Sequence, residues 1–164
     1  MRRRVLVISE IPTPYRLPLF RAIARSDEVD LHVLFCADEQ PDRPWTLQEA
    51  DFGFAYEVMR GLGIPLRTRR NSFVYEINPG IVRRLARRDF DAIVIAGYSV
   101  FAEQVAIAWA RATRTPYLIH AESHHGKPRS RMIRTAKSAL LPQIIGAAAA
   151  GLAAGSAASR YLAS

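Results

Sequence analysis

The 164 residues carry 49% apolar and 23% charged side chains, enough to fill one core and too ordinary for a disordered or fibrous chain; two full α/β domains would need more length, so one domain over 1–164 is expected. The net charge is +8, and only Lys127 and Lys137 among the 23 basic residues are not arginine, a balance that suits nucleic acid, an anionic membrane surface or a phosphorylated ligand without selecting one. The single cysteine, Cys36, excludes an internal disulfide and a multi-cysteine metal site and points either to a reducing compartment, the cytoplasm by default, or to a small buried apolar side chain.

In chain order, "RVLVIS" (4–9) opens on the last of three consecutive arginines, but its apolar run of about five residues is short of the 7–15 that a signal-peptide core requires, so it reads as a first strand. "VDLHVLF" (29–35), "DAIVIAG" (91–97), "PYLIHAE" (116–122) and "AGLAAGS" (150–156) read as further buried strands. Between them "LPLFRAIARSD", "NPGIVRRLARRD", "FAEQVAIAWARAT" and "SRMIRTAKSALLPQII" have helical apolar spacing, with Asn78 and Pro79 placed as N-cap and first helical residue. The stretch from Asp38 to Phe73 is broken by prolines and glycines, with "FAYEVM" and "IPLRTR" as two further short strands. "GAAAAGLAAGSAA" lacks the ~20 strongly apolar residues of a membrane span. Alternation of strand and helix predicts a Rossmann-like three-layer α/β/α domain with a mainly parallel sheet.

Ligands of such sheets sit beyond the carboxyl ends of the strands, which directs attention to Ser9–Arg16, Gly97–Ser99 and Glu122–His125. "SEIPTPYR" has no glycines where a dinucleotide site would have three, and Pro12 and Pro14 lack an N–H, so a backbone cradle for a pyrophosphate is not expected there and Arg16 is the charged donor. "AGYSVF" approximates the G-x-S-x-G nucleophile elbow of hydrolases, but Phe101 replaces the last glycine; Ser99 reads better as a helix N-cap, with Glu103 in the following turn. In "HAESHH" an extended chain turns His120, Glu122 and His124 to one side, a set compatible with a metal, while the alternative is a histidine satisfied in the sheet beside a solvated loop. Arg83 with Arg87 and Arg84 with Arg88 form helical rows opposite Val82 and Leu85, and Lys127 to Lys137 form a second basic stretch; neither interleaves aromatics, so no nucleic-acid partner is expected.

In their order, "VLVISEIPTPYRLPLFRAIA", "LHVLFCADEQPDRPW", "INPGIVRRLARRDFDAIVIAGYS", "PYLIHAESHH" and "GLAAGSAASRYLAS" resemble the N-terminal domain of a family 4 (group 1) glycosyltransferase of the GT-B fold. The resemblance implies one half of a GT-B enzyme, the acceptor side of a retaining transferase that uses a nucleotide sugar as substrate, with no metal and no further cofactor. By the same likeness, Pro14, Tyr15 and Arg16 wall the cleft, with Arg16 near the sugar diphosphate and Tyr15 against a sugar ring. Gly97 and Tyr98 line the acceptor side, Glu122, Ser123 and His124 meet acceptor hydroxyls, and His120 or His124 contacts the donor sugar; Arg16, His120 and Glu122 are the catalytic candidates. The family's donor-binding C-terminal domain is absent from this chain, which implies no turnover by these residues alone. The expected partners are the nucleotide sugar, the acceptor, the missing C-terminal domain and, through the arginine-rich helices, the anionic inner face of a membrane. The alternatives are a non-catalytic Rossmann-like ligand- or partner-binding module and, more remotely, a hydrolase using Ser99.

Overall fold

Strand β1 (Arg3–Ser9) leads through helix α1 (Leu17–Ala24) to β2 (Val29–Phe35), a short 3-10 turn (Glu49–Asp51) and β3 (Ala55–Val58) in the computed structural model, which describes residues 1–40, 45, 47–67, 72–121 and 142–162. A hairpin, β4 (Leu62–Arg67) and β5 (Ser72–Ile77), then precedes α2 (Gly80–Ala86), β6 (Ala92–Ile95), α3 (Phe101–Thr113) and β7 (Tyr117–Ala121). The described remainder holds helical residues 142–146 (α4), β8 (Ala150–Ala153) and α5 (Ser156–Leu162).

The main sheet has the order β3-β2-β1-β6-β7-β8, and every pairing in it is parallel. The chain builds outward from β1 to β3, returns beside β1 as β6, and builds outward the other way. The order therefore reverses between β1 and β6, where the crevice of a doubly wound sheet lies.

Alternation along the strands covers both faces. Leu6 and Ile8 of β1 join Leu34, Ile93, Ile95 and Ile119 under α2 and α3, while Val7 joins Val33 and Phe35 under α1. Ala102, Ala106 and Ala110, four residues apart, give α3 a smooth stripe that packs closely on the sheet. On the other face Phe20, Phe35, Phe52, Phe54 and Tyr56 form one aromatic cluster, with Phe52 and Tyr56 stacked at 4.1 Å. Each such buried side chain contributes about 1.5–3 kcal/mol of transfer free energy. This is the expected Rossmann-like three-layer α/β/α fold.

Four expectations need correction. The described part of "IPLRTR", residues 64–67, belongs to strand β4, but it pairs antiparallel with β5, which the sequence does not announce, and the hairpin stays outside the main sheet. Strand β8 is exposed along its whole length, because it is the sheet's outer strand and its side chains are mostly small. Asn78 does not cap α2, whose N-cap is Pro79; it is fully buried, and its Nδ2 donates to the Cys36 carbonyl at 2.8 Å, tying the end of the hairpin to the end of β2. On α2 Val82 faces solvent while Arg84 turns inward with Ile81 and Leu85, which is tolerable because its guanidinium pairs with Asp89. Arg83, Arg87 and Arg88 remain exposed as a solvated face.

Candidate functional site

The end of β1 is pinned before its loop begins. Cys36 N–H donates to the Ser9 and Glu10 carbonyls at 3.0 and 3.1 Å, and Ala37 N–H donates to Glu10 at 3.1 Å, so β1 and β2 leave the sheet together. Pro12 and Thr13 are buried, and the Thr13 carbonyl accepts the Arg16 and Leu17 N–H groups, a turn that starts α1. Pro18 stands within the first turn, where its missing N–H costs nothing. The prolines thus fix a stiff connector whose polar groups are supplied by side chains.

Arg16 is half-buried, and its Nη1 donates to Ser9 Oγ at 3.0 Å, which holds the guanidinium over the carboxyl end of β1. Tyr15 is 59% exposed, lies edge-on to Trp45 at 6.2 Å, and has the Arg16 guanidinium 6.0 Å from its ring centre. Pro14 beside it is exposed as well. Thr13 Oγ1 is buried and has no hydrogen-bond partner among the described residues, whereas Glu10 accepts from Gln40 Nε2 at 2.8 Å.

Across the crevice, Ala96 N–H donates to the Ile8 carbonyl at 2.9 Å, carrying the pairing one residue past β6. A Cβ on Gly97 would lie 2.8 and 2.9 Å from the two Glu103 carboxylate oxygens, so the backbone passes close over that group and any side chain here would have to push the buried carboxylate aside. Glu103 Oε2 accepts the Ser99 and Val100 N–H groups at 2.8 and 3.3 Å. The carboxylate is 2% exposed; burial pushes its pKa up to about 7, against the pull of those two N–H groups, with Glu10 raising and Arg16 lowering it further. Gln104 completes the wall, donating to the Tyr98 carbonyl at 3.4 Å and accepting from the Tyr75 hydroxyl of the hairpin at 3.1 Å.

Pro14, Tyr15 and Arg16 therefore stand at the end of one strand, and Gly97 and Tyr98 at the end of its neighbour. His120 is half-buried near the end of β7, the next strand over. Glu122, Ser123 and His124 lie outside the described residues, as does the basic stretch from Lys127 to Lys137. Ser99 is not the N-cap of α3: Val100 occupies that position with extended backbone, and Ser99 stands exposed one residue earlier. Nor does Ser99 take the positive φ of a strained elbow, which among the described non-glycine residues belongs to Arg88 and Arg114.

Glu103 and Thr13 are the functional candidates that the sequence reading did not single out as such. A carboxylate in the first turn of a helix six residues after a strand-end glycine was the available signal for Glu103; the buried Thr13 hydroxyl had none.

A second cleft, of about 150 Å³, lies at the opposite, amino end of the strands between Arg4, Asp30, His32, Arg84 and Asp89. Several of its charges are engaged: Arg84 pairs with Asp89, Arg4 with Asp91, and Glu57 stands 4.0 Å from both His32 and Arg84. Burial, and then Arg84, lowers the His32 pKa. Among the described residues no group of three metal-ligating side chains occurs. Compared with known proteins, the chain matches no family and no curated relative.

Proposed function

We propose that this chain is the acceptor-side half of a retaining, nucleotide-sugar-dependent glycosyltransferase of the GT-B type. The observation that carries the reading is the pairing, at the β1–β6 reversal, of a glycine-free loop bearing Arg16 with the Gly97–Ser99 loop. A dinucleotide enzyme needs backbone N–H groups at that turn, and two prolines remove them. A transferase that splits its substrates between two domains needs only a wall and one well-held cation there.

In this reading Arg16, oriented by Ser9, stabilises charge developing on the departing diphosphate, and the exposed Tyr15 ring packs on a sugar. The acceptor hydroxyl attacks the anomeric carbon on the face from which the nucleoside diphosphate leaves. Tyr98 and the Gly97 backbone line the acceptor side; by the resemblance, Glu122, Ser123 and His124 meet acceptor hydroxyls and His120 or His124 contacts the donor sugar. The donor half is supplied by a second domain outside these residues.

The test is sugar transfer from nucleotide sugars by the native gene product. Replacing Arg16 with Ala should lower turnover about 10²-fold, the scale of losing one charge-stabilising donor. Unchanged turnover in that variant would remove Arg16 from the chemistry. Nucleotide-sugar binding without transfer by the native product would favour a binding module instead, and loss of activity in Ser99→Ala alone would favour the hydrolase reading.

A further inference from the structure

Two large aromatic side chains at the crevice take no part in the core. Tyr15 is 59% exposed and Trp45 half-buried, and neither belongs to the apolar clusters on the two faces of the sheet. They come from separate connections, Tyr15 from the loop after β1 and Trp45 from the long segment between β2 and β3, yet their ring centres are 6.2 Å apart. Single exposed aromatics need no explanation. Two that meet from different loops, beyond the carboxyl ends of neighbouring strands, line the place where a doubly wound sheet takes its ligand.

The geometry restricts what fits there. The rings stand at 89° to each other, so they form a corner and not a slot between parallel faces. A flat base stacks on one face and gains nothing from a second wall set at right angles. A puckered ring, with C–H bonds directed out of its mean plane, meets both walls, and the partial negative charge on each aromatic face attracts those hydrogens. The Arg16 guanidinium lies 6.0 Å from the Tyr15 ring centre and is held by Ser9 at 3.0 Å, so one ligand can touch the rings and the cation together. A guanidinium fixed in this way matches a phosphate in shape and charge.

We propose that Tyr15 and Trp45 form a subsite for a pyranose bearing a phosphate on its anomeric carbon, the sugar in the aromatic corner and the phosphate on Arg16, and that Trp45 is a specificity-determining residue for the sugar. The inference rests on the proposed function in putting a sugar diphosphate at this strand end, and goes beyond it in naming Trp45 and the ring form of the sugar. Hexoses differ in which hydroxyls stand axial. An axial hydroxyl turned toward an aromatic wall replaces a C–H contact with a polar group that has lost water and found no partner. Trp45 supplies the second wall, so it reads a second side of the ring.

The experiment titrates the 164-residue chain with the 1-phosphates of glucose, galactose and mannose, with inorganic phosphate and with uridine, following tryptophan fluorescence and the backbone amides of Arg16 and Gly97 by NMR. The other tryptophan, Trp109, packs on Phe90 beside the amino end of β6, so a change in emission on binding reports Trp45. Saturable changes are expected with at least one hexose 1-phosphate, and not with inorganic phosphate or uridine at the same concentration. Trp45→Ala should weaken that binding about tenfold by the amide shifts and narrow the preference among the three sugars, while Trp45→Phe restores most of the affinity. Should Trp45→Ala fail to fold by circular dichroism, Tyr15→Ala carries the test with the same expected loss. No response to any hexose 1-phosphate, a response that inorganic phosphate or uridine reproduces, or unchanged affinity in the aromatic variant would each overturn the proposal. Unchanged affinity in that variant, beside Arg16-dependent transfer by the native gene product, removes the subsite and leaves the transferase; full binding by a native product that transfers no sugar does the reverse.

Discussion

Replacing Glu103 with Gln should flatten one component of the protein's pH dependence. The carboxyl group has its pKa raised from 4.5 to about 7 by burial, so between those values the folded chain keeps a proton that the unfolded chain has released. Stability falls with pH wherever the native state binds more protons, so this group's contribution declines from about pH 4.5 to pH 7 and then stays low. A shift of that size corresponds to about 3 kcal/mol in full, most of it lost between about pH 4.5 and pH 7. His32 works in the opposite direction, because its lowered pKa makes stability rise with pH up to its ordinary value of 6.5. Subtracting the variant from the wild type cancels His32 and isolates Glu103. Gln retains an acceptor for the Ser99 and Val100 N–H groups but does not titrate. Urea unfolding of both proteins across that range should show the Gln variant gaining on the wild type by about 3 kcal/mol as pH rises. Parallel stability curves, or a variant that gains as pH falls, would refute the reasoning.

Gly97→Ala should destabilise the fold by about 1–3 kcal/mol in the same assay, since the added methyl meets the Glu103 carboxylate; less than additive loss with Glu103→Ala would tie the two positions together. Phe35→Ala, a fully buried ring touching Phe20, Phe52 and Tyr56, should cost about 3–5 kcal/mol by urea unfolding, and a loss under 1 kcal/mol would contradict that packing. The Cys36 thiol is fully buried and its pKa is pushed up by burial, so a disulfide reagent near pH 8 should label it only as fast as the chain unfolds; prompt labelling of the native chain would contradict its burial.

The elements that read cleanly from sequence are those whose apolar pattern belongs to one element alone. "VDLHVLF" is β2 from end to end, and "FAEQVAIAWARAT" is α3. The hairpin is harder to read because Arg67 to Asn71 contain neither the Asn-Gly nor the Gly-containing turn that announces one, and the irregular stretch of sequence ends at Phe73, inside β5. Arg84 looked like part of an exposed row because helical spacing carries no information about Asp89 waiting five residues on. The crevice shows the same division. Gly97, Tyr98 and Arg16 follow from position at strand ends, a rule of parallel sheets. That Glu103 lies beneath Gly97 depends on how closely the β6–α3 loop crosses the helix, and no local pattern encodes that approach.

The most direct test of the proposed function is to titrate isotopically labelled chain with a panel of nucleoside diphosphate sugars and free saccharides and to follow its backbone amides by NMR. Saturable shifts at Tyr15, Arg16 and Gly97 to Ser99 for members of that panel are the predicted result. Shifts confined to the opposite cleft near His32 and Arg84, or none across the panel, would contradict the account.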